Sequence, residues 1–337
     1  MKKLNIGIIG AGRIGKVHMK SIAYSVPQAK ILGITDVYKE HLQELADTYG
    51  IEKIYDDYKA MLADPEIDAV LVCSSSDTHS KIAIEAAEAG KHIFCEKPVD
   101  LTPEKVQAVI DAVEKAGVKL QVGFNRRFDH NFSHIRSLIN EGKIGKLELV
   151  KITSRDPEPP SAEYAAVSGG MFLDMTIHDF DMAAFIAGSP VEEVYANATC
   201  LVDPAIGEAG DVDSAVISLK FASGAIGVID NSRRAAYGYD QRVEAFGSLG
   251  AAVAANDTET NVTLMNADAV STDKPLYFFL ERYMQSFRDE MLQFVDAVLN
   301  DKATPTTGED GLNSILVALA AKKSVAEGRP VQLSEIK

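Results

Sequence analysis

The feature that most constrains this chain is its beginning, where an apolar run leads into a glycine-rich turn. Residues 4–9 predict a strand, residues 10–15 read Gly-Ala-Gly-Arg-Ile-Gly, and an apparent helix continues to about Tyr24. A lone G-x-G-x-x-G is weak evidence, but a strand before it and a helix after it are the context of a dinucleotide site. Gly10 would allow the tight turn, Gly12 the approach of a pyrophosphate, and Gly15 the packing of helix on strand.

The predicted phosphate site lies at the N-terminus of this first helix, where backbone N–H groups and the helix dipole favour an anion. Arg13 and Ile14 open the helix and belong to the same predicted site. A purely structural glycine turn is the alternative.

An acidic residue, Asp36, follows the second predicted strand, residues 31–35. It comes about 20 residues after the glycine motif, where the ribose-binding acid of such units belongs. Its carboxylate should accept hydrogen bonds from the ribose hydroxyls and repel a 2′-phosphate. The expected cofactor is therefore NAD, with NADP less favoured, although the nearby Lys39 could soften that preference.

Strands and helices continue to alternate as far as about residue 122, which predicts a parallel, doubly wound sheet with its ligand at the carboxyl ends of the strands. Ser74, Ser75 and His79 follow one strand and are predicted to line the nicotinamide side, unless the hydroxyls only cap the next helix. Glu96 and Lys97 follow another strand on the same side. There the lysine would face the cofactor, and a surface salt bridge with Glu96 is the alternative.

The second half of the chain has a different pattern. We divide the chain into an NAD-binding domain, residues 1–124, and a substrate-binding and oligomerisation domain, residues 125–337. Strand-like segments follow one another between residues 191 and 265 without predicted helices, so they favour an open, mainly antiparallel sheet. One face of that sheet is expected to form an oligomer interface. A loop rich in proline and glycine, residues 155–170, is a candidate for closing over substrate.

The stretch from Gly169 to Asp181 carries Asp174, His178 and Asp181 at spacings of four and three. On one continuous helix, these spacings would place the three side chains along a single stripe. A carboxylate one turn before a histidine can orient the imidazole and stabilise it once protonated, which suits a general base. A capping or surface cluster of Asp and His is the alternative.

Composition excludes several other classes of protein. The 337 residues carry a net charge of -15, which is a poor match to a nucleic acid. The three cysteines show neither disulfide nor metal-binding spacing, and no apolar run is long enough to cross a membrane. These observations predict a cytoplasmic protein that acts on a small molecule without a metal.

Four motifs together resemble one family, and the resemblance extends over essentially the whole chain. They are the glycine motif, Glu96-Lys97-Pro98, Asn125-Arg126-Arg127-Phe128-Asp129 and the Gly169–Asp181 stretch. The family is the glucose–fructose oxidoreductase, inositol dehydrogenase and MocA-like family, and the chain looks most like its bacterial myo-inositol dehydrogenases. The resemblance implies a Rossmann domain, a homotetramer, and Lys97, Asp174 and His178 as catalytic residues. It further implies a substrate site that contains Lys97 and His178, together with Asp181, Tyr237, Asp156, Arg127 and Tyr283. Tyr239 is an open alternative to Tyr237.

The expected reaction is oxidation of a cyclitol secondary alcohol to a ketone by NAD, most specifically of myo-inositol to 2-keto-myo-inositol. His178 would take the hydroxyl proton while Asp174 orients it, and Lys97 would hydrogen-bond the same oxygen. The alternatives are a dehydrogenase for scyllo-inositol, glucose or another sugar, and a non-catalytic NAD-binding regulatory protein.

Overall fold

The structure is a computed structural model that describes residues 3–336. These residues form two compact units, one of residues 3–128 with 284–315 and the other of residues 129–283 with 316–336. The division predicted at 124/125 therefore needs one correction, because the segment 284–315 packs with the first unit. Each unit is described separately.

The first unit begins as the predicted alternation of strands and helices. Its elements are β1 (Leu4–Ile9), α1 (Arg13–Ser25), β2 (Ala29–Thr35), α2 (Leu42–Tyr49), β3 (Lys53–Ile54), α3 (Tyr58–Leu62), β4 (Ala69–Val72), α4 (Ser76–Glu88), β5 (His92–Glu96), α5 (Pro103–Ala116) and β6 (Leu120–Gly123), followed by a 3₁₀ turn at Asn125–Phe128. The six strands form one parallel sheet in the order β3-β2-β1-β4-β5-β6. The order reverses between β1 and β4, which is where doubly wound sheets bind ligands at the carboxyl ends of their strands.

The middle of the chain supplies most of the second unit. Its elements are α6 (His130–Asn140), β7 (Leu147–Arg155), α7 (Ala162–Val167), α8 (Met171–Asp174), α9 (Ile177–Ala187), β8 (Val191–Thr199), α10 (Pro204–Glu208), β9 (Ser214–Phe221), β10 (Ile226–Ser232), β11 (Asp240–Gly247), β12 (Gly250–Ala254), β13 (Thr263–Met265), β14 (Val270–Thr272) and α11 (Phe279–Arg282). The loop predicted at residues 155–170 contains α7. The single helix predicted after Gly170 is two helices, because the backbone turns at Met175 and Thr176.

The chain ends with α12 (Met284–Leu299), α13 (Gly308–Glu327), β15 (Val331–Gln332) and a 3₁₀ turn at Leu333–Glu335. Helix α12 belongs to the first unit because its apolar face enters that core. Met291, Phe294 and Val295 join the cluster built by β1, β2 and α1, and the ring of Phe294 meets that of Phe94 edge to face at 5.8 Å.

A seven-stranded sheet in the order β12-β11-β7-β10-β9-β8-β15 organises the second unit. Its pairs are antiparallel except for β10 with β7, so the predicted mainly antiparallel sheet is confirmed. Strands β13 and β14 form a separate hairpin, which corrects the expectation that residues 262–265 join the main sheet. Along β9, Ala215, Ile217 and Leu219 are buried whereas Val216 and Ser218 are exposed, so one face of the sheet is open in the chain described here.

No helix within residues 3–336 is both long enough and apolar enough to cross a membrane.

Candidate active site

The glycine motif of the first unit forms the turn between β1 and α1. At two positions of this turn only glycine fits. Gly10 has a φ of +102°, and a Cβ there would lie 2.5 Å from the carbonyl group of Cys73. A Cβ on Gly15 would lie 2.1 Å from the carbonyl oxygen of Gly10, so the helix could not approach the strand. These two glycines have the structural roles that the sequence predicted.

Gly12 differs from its neighbours, because a Cβ there would meet no described protein atom within 4 Å. The residue is the N-cap of α1, and as a glycine it has no side chain to cap the first N–H groups of the helix. Arg13 is exposed and Ile14 half-buried in the first turn. The N-terminal N–H groups of a helix with open space in front of them fit the pyrophosphate of a dinucleotide.

Asp36 follows β2 directly and is tied to this turn. Its Oδ2 accepts a hydrogen bond from the N–H of Ala11 at 2.5 Å, and its Oδ1 accepts one from the N–H of Tyr38 at 2.8 Å. The carboxylate is half-buried beside the glycine motif. The arrangement fits an acid that accepts hydrogen bonds from a ribose, and we keep that role as a prediction.

Ser74, Ser75 and His79 come after β4, at the carboxyl edge of the parallel sheet. The hydroxyls of Ser74 and Thr78 share a hydrogen bond of 2.7 Å, and Ser75 is the exposed N-cap of α4, although its side chain makes no capping bond. His79 is 2 % exposed, with Nδ1 2.8 Å from the carbonyl oxygen of Pro98 and Nε2 3.0 Å from that of Ser74. The ring thus lies between the carbonyl oxygens of two loops, and its contact with the cofactor remains a prediction.

Glu96 ends β5 and is buried, so a surface salt bridge does not describe it. Its Oε1 lies 2.6 Å from Nε2 of His18, and its Oε2 accepts the N–H of Lys97 at 3.2 Å. A Cβ on Gly123 would lie 2.8 Å from Oε2, so this glycine makes room for the carboxylate. Glu96 thus holds the backbone at Lys97, which is half-buried and precedes a cis peptide bond to Pro98.

A second buried carboxyl group, that of Glu290 on α12, was not anticipated from the sequence. The residue is completely buried, and neither carboxyl oxygen has a hydrogen-bond partner in the described part of the chain. Burial, and secondarily the charge of Glu96, raise the pKa of Glu290 well above its usual value. Only an apolar helix face was visible in the sequence, so nothing there linked this glutamate to Glu96.

In the second unit, Arg233 joins two predicted site residues, and the sequence analysis did not identify it. Its Nη2 lies 3.1 Å from Oδ2 of Asp174, and its Nη1 lies 3.3 Å from Oδ2 of Asp156. Oδ1 of Asp174 also accepts a hydrogen bond from the hydroxyl of Tyr164 at 3.1 Å. Burial alone would lower the pKa of Arg233, but the charges of Asp174 and Asp156 outweigh it and raise that pKa.

The turn between α8 and α9 separates Asp174, the last residue of α8, from His178 in α9. The single stripe expected for Asp174, His178 and Asp181 therefore does not extend through one helix. Thr176 donates to Oδ1 of Asn231 at 2.8 Å, and the Asn231 amide donates to the buried carboxylate of Asp179 at 2.9 Å. These bonds tie the turn to β10. His178 is half-buried and Asp181 is buried on α9.

The remaining predicted wall residues have protein partners of their own. The hydroxyl of Tyr237 donates to Oδ2 of Asp240 at 2.5 Å and accepts from Nη1 of Arg155 at 3.2 Å. The ring of Tyr283 is buried and meets that of Tyr239 edge to face at 5.9 Å. Their assignment to substrate remains a prediction.

Arg127 belongs to the first unit, where its Nη2 lies 2.8 Å from Oδ1 of Asp310. Asp129, from the same sequence segment, is the N-cap of α6 in the second unit and pairs with Arg282 at 2.5 Å. This segment therefore carries structural contacts in both units, and the substrate role of Arg127 remains a prediction.

The chain is similar in sequence and in structure to known proteins. The chain is 51 % identical over 332 residues to an uncharacterized oxidoreductase of Bacillus subtilis, YrbE, covering 98 % of this chain and 97 % of the other. It is 50 % identical to the myo-inositol 2-dehydrogenase of Thermotoga maritima, covering 99 % of both chains. The crystal structure of scyllo-inositol dehydrogenase from Lactobacillus casei with bound NAD(H) and scyllo-inositol matches with a TM-score of 0.91 and 32 % identity, covering 99 % of this chain and all of the other.

Two family models match consecutive parts of the chain. Residues 4–124 match the oxidoreductase family with an NAD-binding Rossmann fold, and residues 132–253 match the GFO/IDH/MocA C-terminal domain. The resemblance stated from the motifs is thereby confirmed. The chain belongs to the GFO/IDH/MocA family and is an NAD-dependent oxidoreductase whose cofactor-binding domain is the first unit.

Proposed function

We propose that the protein oxidises one secondary alcohol of a cyclitol to a ketone, most specifically myo-inositol to 2-keto-myo-inositol. The observation that carries this proposal is 50 % identity over 333 residues to a protein named myo-inositol 2-dehydrogenase. A 44 % identical relative from Rhizobium meliloti is also named inositol 2-dehydrogenase. The resemblance and the motif residues in both units support the same reaction class.

In this proposal, the turn between β1 and α1 holds the pyrophosphate of NAD and Asp36 holds its ribose hydroxyls. The open space at Gly12 supports the first role, and the position of Asp36 beside Ala11 supports the second. When bound, NAD supplies the acceptor for the hydride that leaves the alcohol carbon. Because the carboxylate repels a 2′-phosphate, the same residue accounts for a preference for NAD over NADP.

The chain itself supplies the proton chemistry. His178 accepts the hydroxyl proton as general base, and Asp174 orients the imidazole and stabilises its protonated form. Lys97 donates a hydrogen bond to the same oxygen and favours its developing negative charge. The bond from the Lys97 N–H to the buried Glu96 supports a fixed position for this lysine.

The substrate hydroxyls are proposed to meet the carboxylates of Asp156 and Asp181 and the hydroxyl of Tyr237. These side chains offer the acceptors and donors that a polyol needs. Arg127 and Tyr283 are proposed as further wall residues. Arg127 is held by its ion pair with Asp310, and Tyr283 by its packing on Tyr239. Each side chain would therefore contact substrate from a position that the protein has already fixed.

A second substrate, scyllo-inositol, is favoured by one specific observation. A relative from Bacillus subtilis that is 36 % identical over 98 % of this chain is named scyllo-inositol 2-dehydrogenase (NAD(+)). Two inositol isomers differ only in the orientation of ring hydroxyls, so the same base and lysine serve both.

We also propose that the enzyme assembles as a homotetramer through the open face of its seven-stranded sheet and works in the cytoplasm. Three large apolar side chains on that face support the assembly, because Val216, Ile226 and Phe246 are between 45 and 56 % exposed. Large apolar side chains exposed on one sheet face are a reason to expect a protein partner there. The three cysteines are free thiols, which agrees with a reducing compartment.

The test of the proposed reaction is formation of NADH with a panel of inositol isomers and aldohexoses, with NAD and NADP measured in parallel. Turnover that is highest with myo-inositol and NAD is the expected result. Turnover highest with scyllo-inositol would select the second substrate. Activity confined to a hexose would contradict the cyclitol assignment while leaving the cofactor site and the His178 mechanism in place.

A further inference from the structure

Arg233 lies just after β10 and is only 4 % exposed, although it carries a full charge. Its two terminal nitrogens contact different carboxylates, Asp174 at 3.1 Å and Asp156 at 3.3 Å. The backbone is anchored as well, since the N–H of Arg233 donates to the carbonyl oxygen of Asp213 at 2.8 Å. The guanidinium is therefore held in one place between a residue after β7 and the last residue of α8.

The geometry matters because two carboxylates lie against the same guanidinium with little water around them. The side chains of Asp156 and Asp174 are 20 and 16 % exposed, and that of Arg233 is 5 % exposed. A planar guanidinium can hold two carboxylates at defined positions, whereas the ammonium group of a lysine is a single point charge. Without the arginine, mutual repulsion would favour a proton on one of the two acids.

We propose that Arg233 is a positioning residue for the oxidation, which fixes Asp156 and Asp174 relative to each other and keeps both carboxylates ionised. This inference rests on the proposed function, in which Asp174 serves His178 and Asp156 meets the substrate. Arg233 is needed because Asp174 can stabilise a protonated imidazole only while the carboxylate carries its charge. The arginine acts through the two acids.

The other charged or titratable groups in this region come from several elements. Tyr164 of α7 bonds to Asp174, and His178 and Asp181 lie on α9. Asp211 accepts the N–H of Met171 at the start of α8, and Nζ of Lys322 on α13 lies 3.3 Å from the carbonyl oxygen of Gly169. Arg233 contacts both acids directly, through a different terminal nitrogen for each.

The first experiment compares the pH dependence of kcat/KM for wild type, Arg233→Gln and Arg233→Lys, with myo-inositol and NAD. Arg234→Gln is the matched control, since Arg234 is the exposed neighbour. Arg233→Gln should lower turnover by up to about 100-fold, because the acids lose their geometry. Its acid limb, which reports protonation of His178 and of the two acids, should move to higher pH, because removal of the cation favours proton binding by all of these groups. The lysine variant should fall between, and NAD affinity should stay within about twofold.

A loss that is equal at every pH, with an unmoved acid limb, would contradict the proposal and leave Arg233 with a structural role only. Where Arg233→Gln does not fold, Asp156→Asn answers the same question with the arginine in place. Removing the competing charge should shift the acid limb of this variant to lower pH, and an unchanged limb would again contradict the proposal.

A second experiment needs no substrate, so it separates this inference from the proposed function. Thermal unfolding is measured at pH 5 and pH 8 for wild type, Arg233→Gln and Arg233→Gln/Asp156→Asn. Without the cation the folded protein binds protons more tightly than the unfolded chain, so stability falls as pH rises. The deficit in Tm should be larger at pH 8, and Asp156→Asn should reduce it. Equal deficits at both pH values would overturn the inference, even if the wild type oxidises inositol.

Discussion

Nε2 of His18 lies 2.6 Å from Oε1 of Glu96 in the interior of the first unit. Glu96 immediately precedes Lys97 in the sequence. The other oxygen of Glu96 accepts the N–H of Lys97, so the buried pair is bonded directly to the backbone of the proposed catalytic lysine. Glu290 adds a second buried carboxyl group whose pKa is raised by burial and, secondarily, by the charge of Glu96. Keeping both Glu96 and Glu290 ionised in this part of the interior would therefore cost folding free energy.

Replacement of Glu290 by glutamine should stabilise the protein at pH 8 and change little near pH 4. The folded pKa of Glu290 lies above the unfolded value, so the contribution of this residue to stability is fully present below about pH 4.5 and is lost as pH rises through the folded pKa. Each unit by which the pKa is raised corresponds to about 1.4 kcal/mol lost at high pH. The measurement is urea unfolding at pH 4, 6 and 8, with the exposed Glu88→Gln as control. An equal change at all three pH values would contradict the prediction.

Two alanine substitutions in the glycine motif should have opposite consequences. Gly15→Ala should destabilise the first unit by about 1–3 kcal/mol, because its Cβ would overlap the carbonyl oxygen of Gly10. Gly12→Ala should cost about 1 kcal/mol or less, since its Cβ meets no described protein atom within 4 Å and alanine is only a poorer N-cap than glycine. It should nonetheless weaken NAD binding at least about tenfold, because the pyrophosphate needs that space. Calorimetric titration with NAD and chemical unfolding measure the two effects; unchanged affinity in Gly12→Ala would place the pyrophosphate elsewhere.

Asp36→Ser should erode the preference for NAD. The variant loses the charge that repels a 2′-phosphate and the acceptor for the ribose hydroxyls, so the NAD/NADP ratio of kcat/KM should fall by about tenfold or more. Asp111→Ser is the control, because Asp111 is exposed on α5 and its carboxylate accepts a hydrogen bond from Gln107 of the same helix. A ratio equal to that of wild type would remove Asp36 from cofactor selection.

His178→Ala should lower kcat by about 10²–10⁴-fold without changing NAD affinity, since general-base assistance has that magnitude. His134→Ala, at an exposed position of α6, should behave like wild type. Steady-state kinetics with the best inositol of the panel and fluorescence titration with NADH provide the two readouts. Retention of more than about a tenth of wild-type turnover would exclude His178 as the base.

Val216→Lys should dissociate the proposed tetramer. Val216 lies on the interior strand β9 and is 56 % exposed on the open face, where a charge would have to be desolvated in an interface. Leu299→Lys, at the end of α12 and 40 % exposed, is the control. Sedimentation velocity should show a smaller species for the first variant alone. A tetramer that persists in Val216→Lys would remove this face from the assembly.

Much of the fold follows from local patterns that survive in a single sequence. Apolar strands alternating with helices, with glycines at 10, 12 and 15, are enough to predict the parallel sheet and its cofactor edge, and both the fold class and NAD are confirmed. The strands of the second sheet were also visible, because side chains on a half-exposed sheet alternate with period two. The short strands β3, β12, β14 and β15 were not predicted, since two to five residues carry too little pattern.

The sequence by itself determined which residues are chemically suited to the reaction, because residue type and spacing from a glycine turn or a strand end are local properties. Only the tertiary structure decided which partners those residues have. His18 and Glu96 are 78 positions apart, and Arg233 follows Asp174 by 59. The turn at Met175 and Thr176 likewise depends on a bond from Thr176 to Asn231 on a distant strand. Such contacts form because burying a charge requires a counter-charge or a hydrogen bond, and the fold brings the partners together from distant parts of the chain.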